Sequence, residues 1–440
     1  MKRYSEYKQV DLPWLKEIPS HWEMDRGKNY IFYFKELNTN NKEKNVLSLT
    51  LNGVIRNNAD KPIGLSPKDY ATYQLFQKDD LVFKLIDLNN VRTSRVGIVN
   101  ENGIMSSAYI RGIIHSDLLS PRYYYYWYYK LYIEEVYNKL GSGVRETINQ
   151  DTLFRMLIPI PPKEEQNQIA NYLDWKINEI DRLIEKEKIL FVFFEKFFES
   201  KCESLIKHVI LDLKLKFKLR HLARFQNGIS ESGDFFTDGF PFVSYSDVYN
   251  NTTLPSEVKG KAKSTEVQQR MYSVNKGDIF VTRTSETIDD AIFFSLCEKT
   301  IPNSVFSGFL IRIRLTKSFV LSKYLLYYLK TTFVRTQILK NLNLVTRVSV
   351  GQSLLKDIEI KIPDKEVQEY VIQTIDEMSN KIEEVKKRIN EKVLCLQKLK
   401  QSLISEVVTG KIDVRDIEIQ AYEKVNLINK EPDNIEGEEE

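Results

Sequence analysis

The sequence predicts an α+β chain: two duplicated mixed α/β globules, each followed by a long helix, with the two helices pairing as an antiparallel coiled coil. Three observations lead there. A stretch of the first half returns in the second at a fixed offset, each copy mixes short strand-like runs with a helix, and each ends in a long run of heptad-spaced apolar residues.

The repeat comes first. RETINQDTL, starting at Arg145, and the following LIPIPPKEEQNQIANYLD are echoed by RVSVGQSLL, starting at Arg347, and EIKIPDKEVQEYVIQTID. Arg145 and Arg347, Pro161 and Pro363, Lys163 and Lys365, Gln166 and Gln368, and Asp174 and Asp376 all stand 202 positions apart, with no gap. Upstream, KDDLV at Lys78 answers KGDIF at Lys276, SAYI at Ser107 answers SGFL at Ser307, and RYY at Arg122 answers KYL at Lys323. Between these landmarks the copies diverge, as expected of one scaffold carrying two different surfaces.

The resulting division is a first globule at 1–162, a first long helix at 163–210, a second globule at 211–362, a second long helix at 363–410, and a closing segment with an acidic tail at 411–440. Strand-like runs fall at 46–51, 80–85 and 96–99 in the first globule, and at 240–244, 278–282 and 309–315 in the second. A helix is expected at 121–139 and again at 322–342. The aromatic run from Tyr123 to Tyr129 reads as core rather than as a base-stacking platform. Proline ends each globule, because it pre-sets an extended turn and starts a helix well.

Downstream of each proline the apolar residues step by three and four. The first copy has Leu173, Ile177, Ile180, Ile184, Phe191, Phe194, Phe198, Leu205 and Val209. The second has Val371, Ile375, Met378, Ile382, Val385, Ile389, Leu396, Leu399 and Leu403, interrupted at Lys392. Such stripes need a partner, and the nearest is the duplicate helix. At roughly 40 residues each helix would be about 60 Å long, a ruler between two globules if the pair is antiparallel.

Composition narrows the function classes. Of 440 residues 42% are hydrophobic, enough for real cores, and the formal charge is +3. The last thirty residues hold four basic and ten acidic side chains, so residues 1–410 carry about +9, a balance that permits nucleic-acid binding. No run of about 18 apolar residues occurs and the N-terminus is charged, so a cytoplasmic protein is expected. Cys202, Cys297 and Cys395 are too dispersed for disulfide or zinc spacing, and His21, His115, His208 and His221 are scattered. Phosphate-binding loops, cofactor-binding glycine turns and base-methylation motifs are absent. Glu384 and Lys386, which with Asp364 resemble a nuclease set, flank the seam residue Val385 and read as a solvated helix face. No catalytic, metal or cofactor residue is assigned.

DNA reading calls for hydrogen-bonding side chains on loops, with Lys, Arg and small residues to anchor phosphates. Lys84, Arg92, Thr93, Ser94 and Arg95 follow a strand in the first globule, and Arg283, Thr284 and Ser285 hold the equivalent place in the second. Ser142 and Arg145 lie in a small-residue turn whose arginine recurs as Arg347. Residues 214–224 alternate basic and apolar, suggesting a strand with Lys214, Lys216, Lys218 and Arg220 on one charged face. The competing readings are ordinary turn chemistry for the Arg-Thr-Ser groups, a packing turn between globule and helix for Ser142 and Arg145, and plain solvation for 214–224.

DLVFK with RTSRVG, SSAYI at Ser106, LGSGVR ending at Arg145, and IPPKEEQ followed by IANYLD resemble the specificity subunits of type I restriction-modification enzymes over residues 10–410. That resemblance implies two target-recognition domains reading double-stranded DNA, and helices that dock two adenine methyltransferase (modification) subunits and, with them, the restriction/translocase subunits. S-adenosylmethionine, ATP and Mg²⁺ would then belong to the partners, with none in this chain. The second copy departs from the pattern, with IPDKEVQ and no Gly-Ser-Gly before Arg347. Two other readings are an orphan or recombination-cassette specificity subunit, and a structural coiled-coil protein that does not read DNA.

Overall fold

The computed structural model describes residues 2–57, 67, 69–89, 93–141, 147–285, 292–340 and 348–424. Two compact units emerge, residues 1–189 with 389–440, and residues 190–388. Each unit therefore takes one globule and a portion of both long helices.

In the first unit a four-stranded antiparallel sheet has the order Ile31–Tyr33, Ile110–Ile114, Leu81–Phe83, Val96–Ile98. Leu81, Val82 and Phe83 are all fully buried. Leu81 and Phe83 face the core that holds the helix Pro121–Ile133, whereas Val82 packs with Leu47, Leu49, Phe76 and Met105 on the other side. Cover on both faces is why this strand reads as a continuous apolar run instead of alternating.

The second unit repeats the arrangement with Ala223–Asn227, Leu310–Leu315, Ile279–Thr282 and Phe294–Leu296. Ile279 and Val281 again face the helix side, and Phe280 the other. Strands therefore form inside each of the six runs expected from sequence. The helices expected at 121–139 and 322–342 are each broken in two: Pro121–Ile133 and Val136–Leu140 are separated at Glu135, which takes a left-handed conformation, and Ser322–Leu329 precedes Thr332–Lys340. Tyr123, Tyr124, Tyr126, Trp127 and Tyr128 are buried, as core.

The long helices run Lys163–Ile210 and Lys365–Val408, and they are antiparallel. In the first unit Lys400 Nζ meets Asp181 Oδ1 at 2.8 Å and Lys392 Nζ meets Glu187 Oε1 at 2.5 Å, so partner numbers fall as residue numbers rise. In the second, Lys386 Nζ meets Glu195 Oε1 at 2.9 Å. Leu173, Ile180 and Leu403 share one core, and Ile206, Val371 and Ile375 the other. Lys392, the break in the heptad, neutralises Glu187, which is itself buried. Leu399 departs from the expected seam and is 52% exposed, because two helices alone enclose only a narrow stripe.

The second long helix stops at Gly410, whose φ of +74° is left-handed; a Cβ there would lie 2.5 Å from Pro19 Cδ. The chain then closes onto the first unit. Ile412 and Val414 are buried, the Asp413 amide donates to Lys2 O at 2.9 Å, and Gln168 Nε2 donates to Val414 O at 3.0 Å and Ile417 O at 2.7 Å. The acidic stretch 425–440 lies outside the described residues.

Candidate nucleic-acid interface

In each unit the end of an inner strand of the sheet is tied by matching main-chain bonds. In the first, the Lys84 amide donates to Arg95 O at 2.9 Å; in the second, the Thr282 amide donates to Phe293 O at 3.0 Å. A second tie brings in a distant segment: the Ile148 amide donates to Leu85 O at 3.0 Å, and the Val350 amide to Arg283 O at 2.8 Å. Ile148 and Val350 stand at the repeat offset of 202. In the second unit this contact extends into a short ladder, with Thr284 opposite Ser349 and Ser285 opposite Val348.

Two candidate regions far apart in sequence are thereby joined. The chain that follows Ser142 and Arg145 is bonded at Ile148 to Leu85, in the stretch that precedes Arg92, and the chain that follows Arg347 is paired with Arg283, Thr284 and Ser285. Arg92, Ser142, Arg145 and Arg347 themselves lie outside the described residues. Arg283 is half-buried.

Lys84, Thr93, Ser94 and Arg95 turn out to build the loop from within. Lys84 Nζ donates to Thr93 Oγ1 at 2.8 Å, and burial, with Arg95 nearby, lowers the lysine pKa. Ser94 is buried and its hydroxyl donates to Val96 O at 2.7 Å. Arg95, 2% exposed, donates to Asp87 O at 2.8 Å and Leu88 O at 2.7 Å, and its burial lowers its pKa. As direct DNA contacts Ser94 and Arg95 are corrected by this placement, since interior side chains bonded to main-chain carbonyls do not reach a base.

The basic stretch 214–224 is not the single strand expected from sequence. Phe217–Lys218 is a two-residue strand paired with Ile360 and Glu359, a 3-10 turn, Leu219–His221, interrupts it, and Ala223–Asn227 begins a separate strand of the main sheet. Lys216 Nζ lies 2.8 Å from Glu359 Oε2, Lys218 Nζ 3.1 Å from Asp357 Oδ1, and Arg220 also pairs with Asp357. Bonds from Lys218 and Lys216 respectively hold the Asp357 and Glu359 carboxyls below their usual pKa. These cations tie the segment 216–220 to the segment 357–359, and exposed pairs of this kind contribute little energy. Lys214 is exposed.

The best-matched part of the two units is the joint between globule and helix, which sequence reading used only as a register mark. Gln166, fully buried, accepts from the Ser120 amide at 2.8 Å and donates to Leu118 O at 2.9 Å and Pro161 O at 2.8 Å. Gln368 does the same with the Leu321 amide at 2.9 Å, Phe319 O at 2.8 Å and Pro363 O at 2.9 Å. Tyr126 donates to Asp174 and Tyr327 to Asp376, each at 2.5 Å. An amide side chain, donor and acceptor at once, satisfies a helix start and a loop together, which explains why this residue type recurs. Among the described residues no group of His, Cys, Asp and Glu could hold a metal ion, and no helix is long and apolar enough to cross a membrane.

Comparison with known proteins agrees with this geometry. The family profile for the type I restriction modification DNA specificity domain matches residues 24–190 and again 217–394. The chain is 20% identical over 407 residues to the type I restriction enzyme EcoBI specificity subunit of Escherichia coli, covering 87% of this chain and 83% of that one. It is 21% identical over 293 residues to the EcoKI specificity subunit of Escherichia coli strain K12, covering 62% of each. A solved chain from work on complex assembly and conformational transition of the type I R-M system shares the fold, with a TM-score of 0.65 at 13% identity, over 90% of this chain and 99% of that one. With both profile matches falling on the two repeated halves, this chain belongs to the type I restriction modification DNA specificity family.

Proposed function

We propose that this chain reads an asymmetric, two-part DNA site, one short half-site per unit, and docks methyltransferase and restriction subunits that carry out the chemistry. One observation carries the reading: in both units two loop regions unlike in sequence arise from the same end of the same sheet, on matching main-chain ties. A scaffold held constant beneath divergent loops is what two different reading heads need. S-adenosylmethionine, ATP and Mg²⁺ belong to the partners in this reading, and the assembly works in the cytoplasm. The paired long helices set the length of the unread spacer between half-sites. Each unit presents an adenine-containing half-site to a neighbouring methyltransferase, which takes the base into its own pocket.

The test is an exchange of residues 215–360 for the corresponding region of another family member, with both chains expressed beside their modification subunits. Methylome sequencing is expected to show one half-site changed and the other retained. Alteration of both halves, or of neither, refutes modular reading.

A further inference from the structure

We propose that Phe309 is a base-contacting residue of the second unit, its ring meeting the apolar surface of a base in the half-site. The proposal rests on the DNA-reading function above and adds to it a contact that cannot hydrogen-bond.

Phe309 is 60% exposed, unusual for a phenylalanine placed at the end of a central strand. It immediately precedes Leu310–Leu315, and its carbonyl accepts the Arg283 amide at 2.9 Å. Arg283 in turn accepts from the Val350 amide at 2.8 Å. Phe309 thus belongs to the same backbone platform as the loop roots that carry the reading.

The ring also stands on a stiff corner. The Gly308 amide donates to Ile229 O at 2.7 Å and the Ile229 amide to Phe306 O at 2.9 Å, so two segments cross at close range. A Cβ on Gly228 would lie 2.2 Å from Phe306 O and Ser307 O, and one on Gly308 2.2 Å from Ser230 Oγ. The Phe309 amide is fixed by Ser307 Oγ at 3.2 Å. An exposed aromatic on a fixed backbone has only two side-chain torsions to order on contact, which suits recognition.

Its counterpart in the aligned SAYI landmark of the first unit behaves differently. Tyr109 is half-buried, packs against the apolar cluster behind the sheet, and has its phenol pKa raised by that burial. The two units differ here in what they expose, as residues that set different preferences should. The apolar surface of a base is offered either by a thymine methyl in the major groove or by the face of an unstacked base.

The experiment uses the full chain with its modification subunits and duplexes carrying the methylome-mapped site. Wild type, Phe309→Ala and Phe309→Leu are compared on that site, on sites with each base pair of the second half-site changed, and on a duplex with uracil for thymine. Loss of specific affinity by roughly 5- to 100-fold in Phe309→Ala, with relaxed preference at one position of the second half-site only, is expected. Recovery in Phe309→Leu with matching sensitivity to uracil assigns the thymine methyl; no recovery, with a 2-aminopurine signal lost in the variant, assigns an unstacked base. Specific affinity and positional preference within twofold of wild type in Phe309→Ala overturn the proposal. Absence of any sequence preference in the wild-type complex would instead defeat the DNA-reading function itself.

Discussion

Replacing Gln166 by Ala tests whether the globule–helix joint is the structural link that the duplication preserves. The substitution removes three hydrogen bonds at once and leaves the Ser120 amide and the Leu118 and Pro161 carbonyls to find other partners. At about 1 kcal/mol net for each bond the first unit should lose about 3 kcal/mol. With a urea slope of about 3 kcal/mol per molar for a domain of this size, the midpoint should fall by about 1 M. The assay is unusually selective, because all four tryptophans, Trp14, Trp22, Trp127 and Trp175, belong to the first unit. Tryptophan fluorescence therefore follows that unit alone during urea unfolding. A midpoint within about 0.2 M of the parent would show that Gln166 marks the repeat without stabilising it. Gln368→Ala should produce a comparable loss in the second unit, read from the helical circular dichroism signal.

Arg283→Ala should weaken binding to a site bearing the second unit's half-site by about 1–3 kcal/mol, and Arg92→Ala should do the same for the first, measured by titration of labelled duplexes; unchanged affinity makes those arginines structural. Asp413 has its pKa held below the ordinary carboxylate value, first by its bonds to Arg415. A depressed carboxyl contributes stability that is present above the unfolded value of about 4 and disappears as pH falls through the lower folded value. Hydrogen-exchange protection across residues 409–424, taken relative to the intrinsic amide rate at each pH, should accordingly fall in acid in the parent, and Asp413→Asn should show the lower protection already at neutral pH. Gly410→Ala should cost about 2 kcal/mol or more, seen in the same fluorescence assay, because its backbone is left-handed and Pro19 occupies the space of the new methyl. Adding seven residues to both long helices should change the preferred spacer, and methylome mapping that finds the spacer unaltered would refute their part in setting it.

The constant offset of 202 from Arg145 and Arg347 to Asp174 and Asp376 settled the duplication, and the heptad steps settled the long helices, from residue order alone. Both are periodic signals written along one stretch of chain. The doubly buried strands at Leu81–Phe83 and Ile279–Thr282 were equally legible, since a strand covered on both faces must be apolar throughout. The side chains that read DNA were not legible in this way. Arg95 looks like a surface cation in sequence, yet it is spent on the carbonyls of Asp87 and Leu88; Lys216 and Lys218 look free, yet they meet Glu359 and Asp357. The partners of Lys216 and Lys218 stand more than a hundred residues away, and whether a charge points into a loop or out of it depends on contacts that local composition does not encode. Only the folded sheet decided that Ile148 and Val350 return to Leu85 and Arg283, and so that two separate loop regions share one edge, because strand register is fixed by long-range burial rather than by neighbours in the chain.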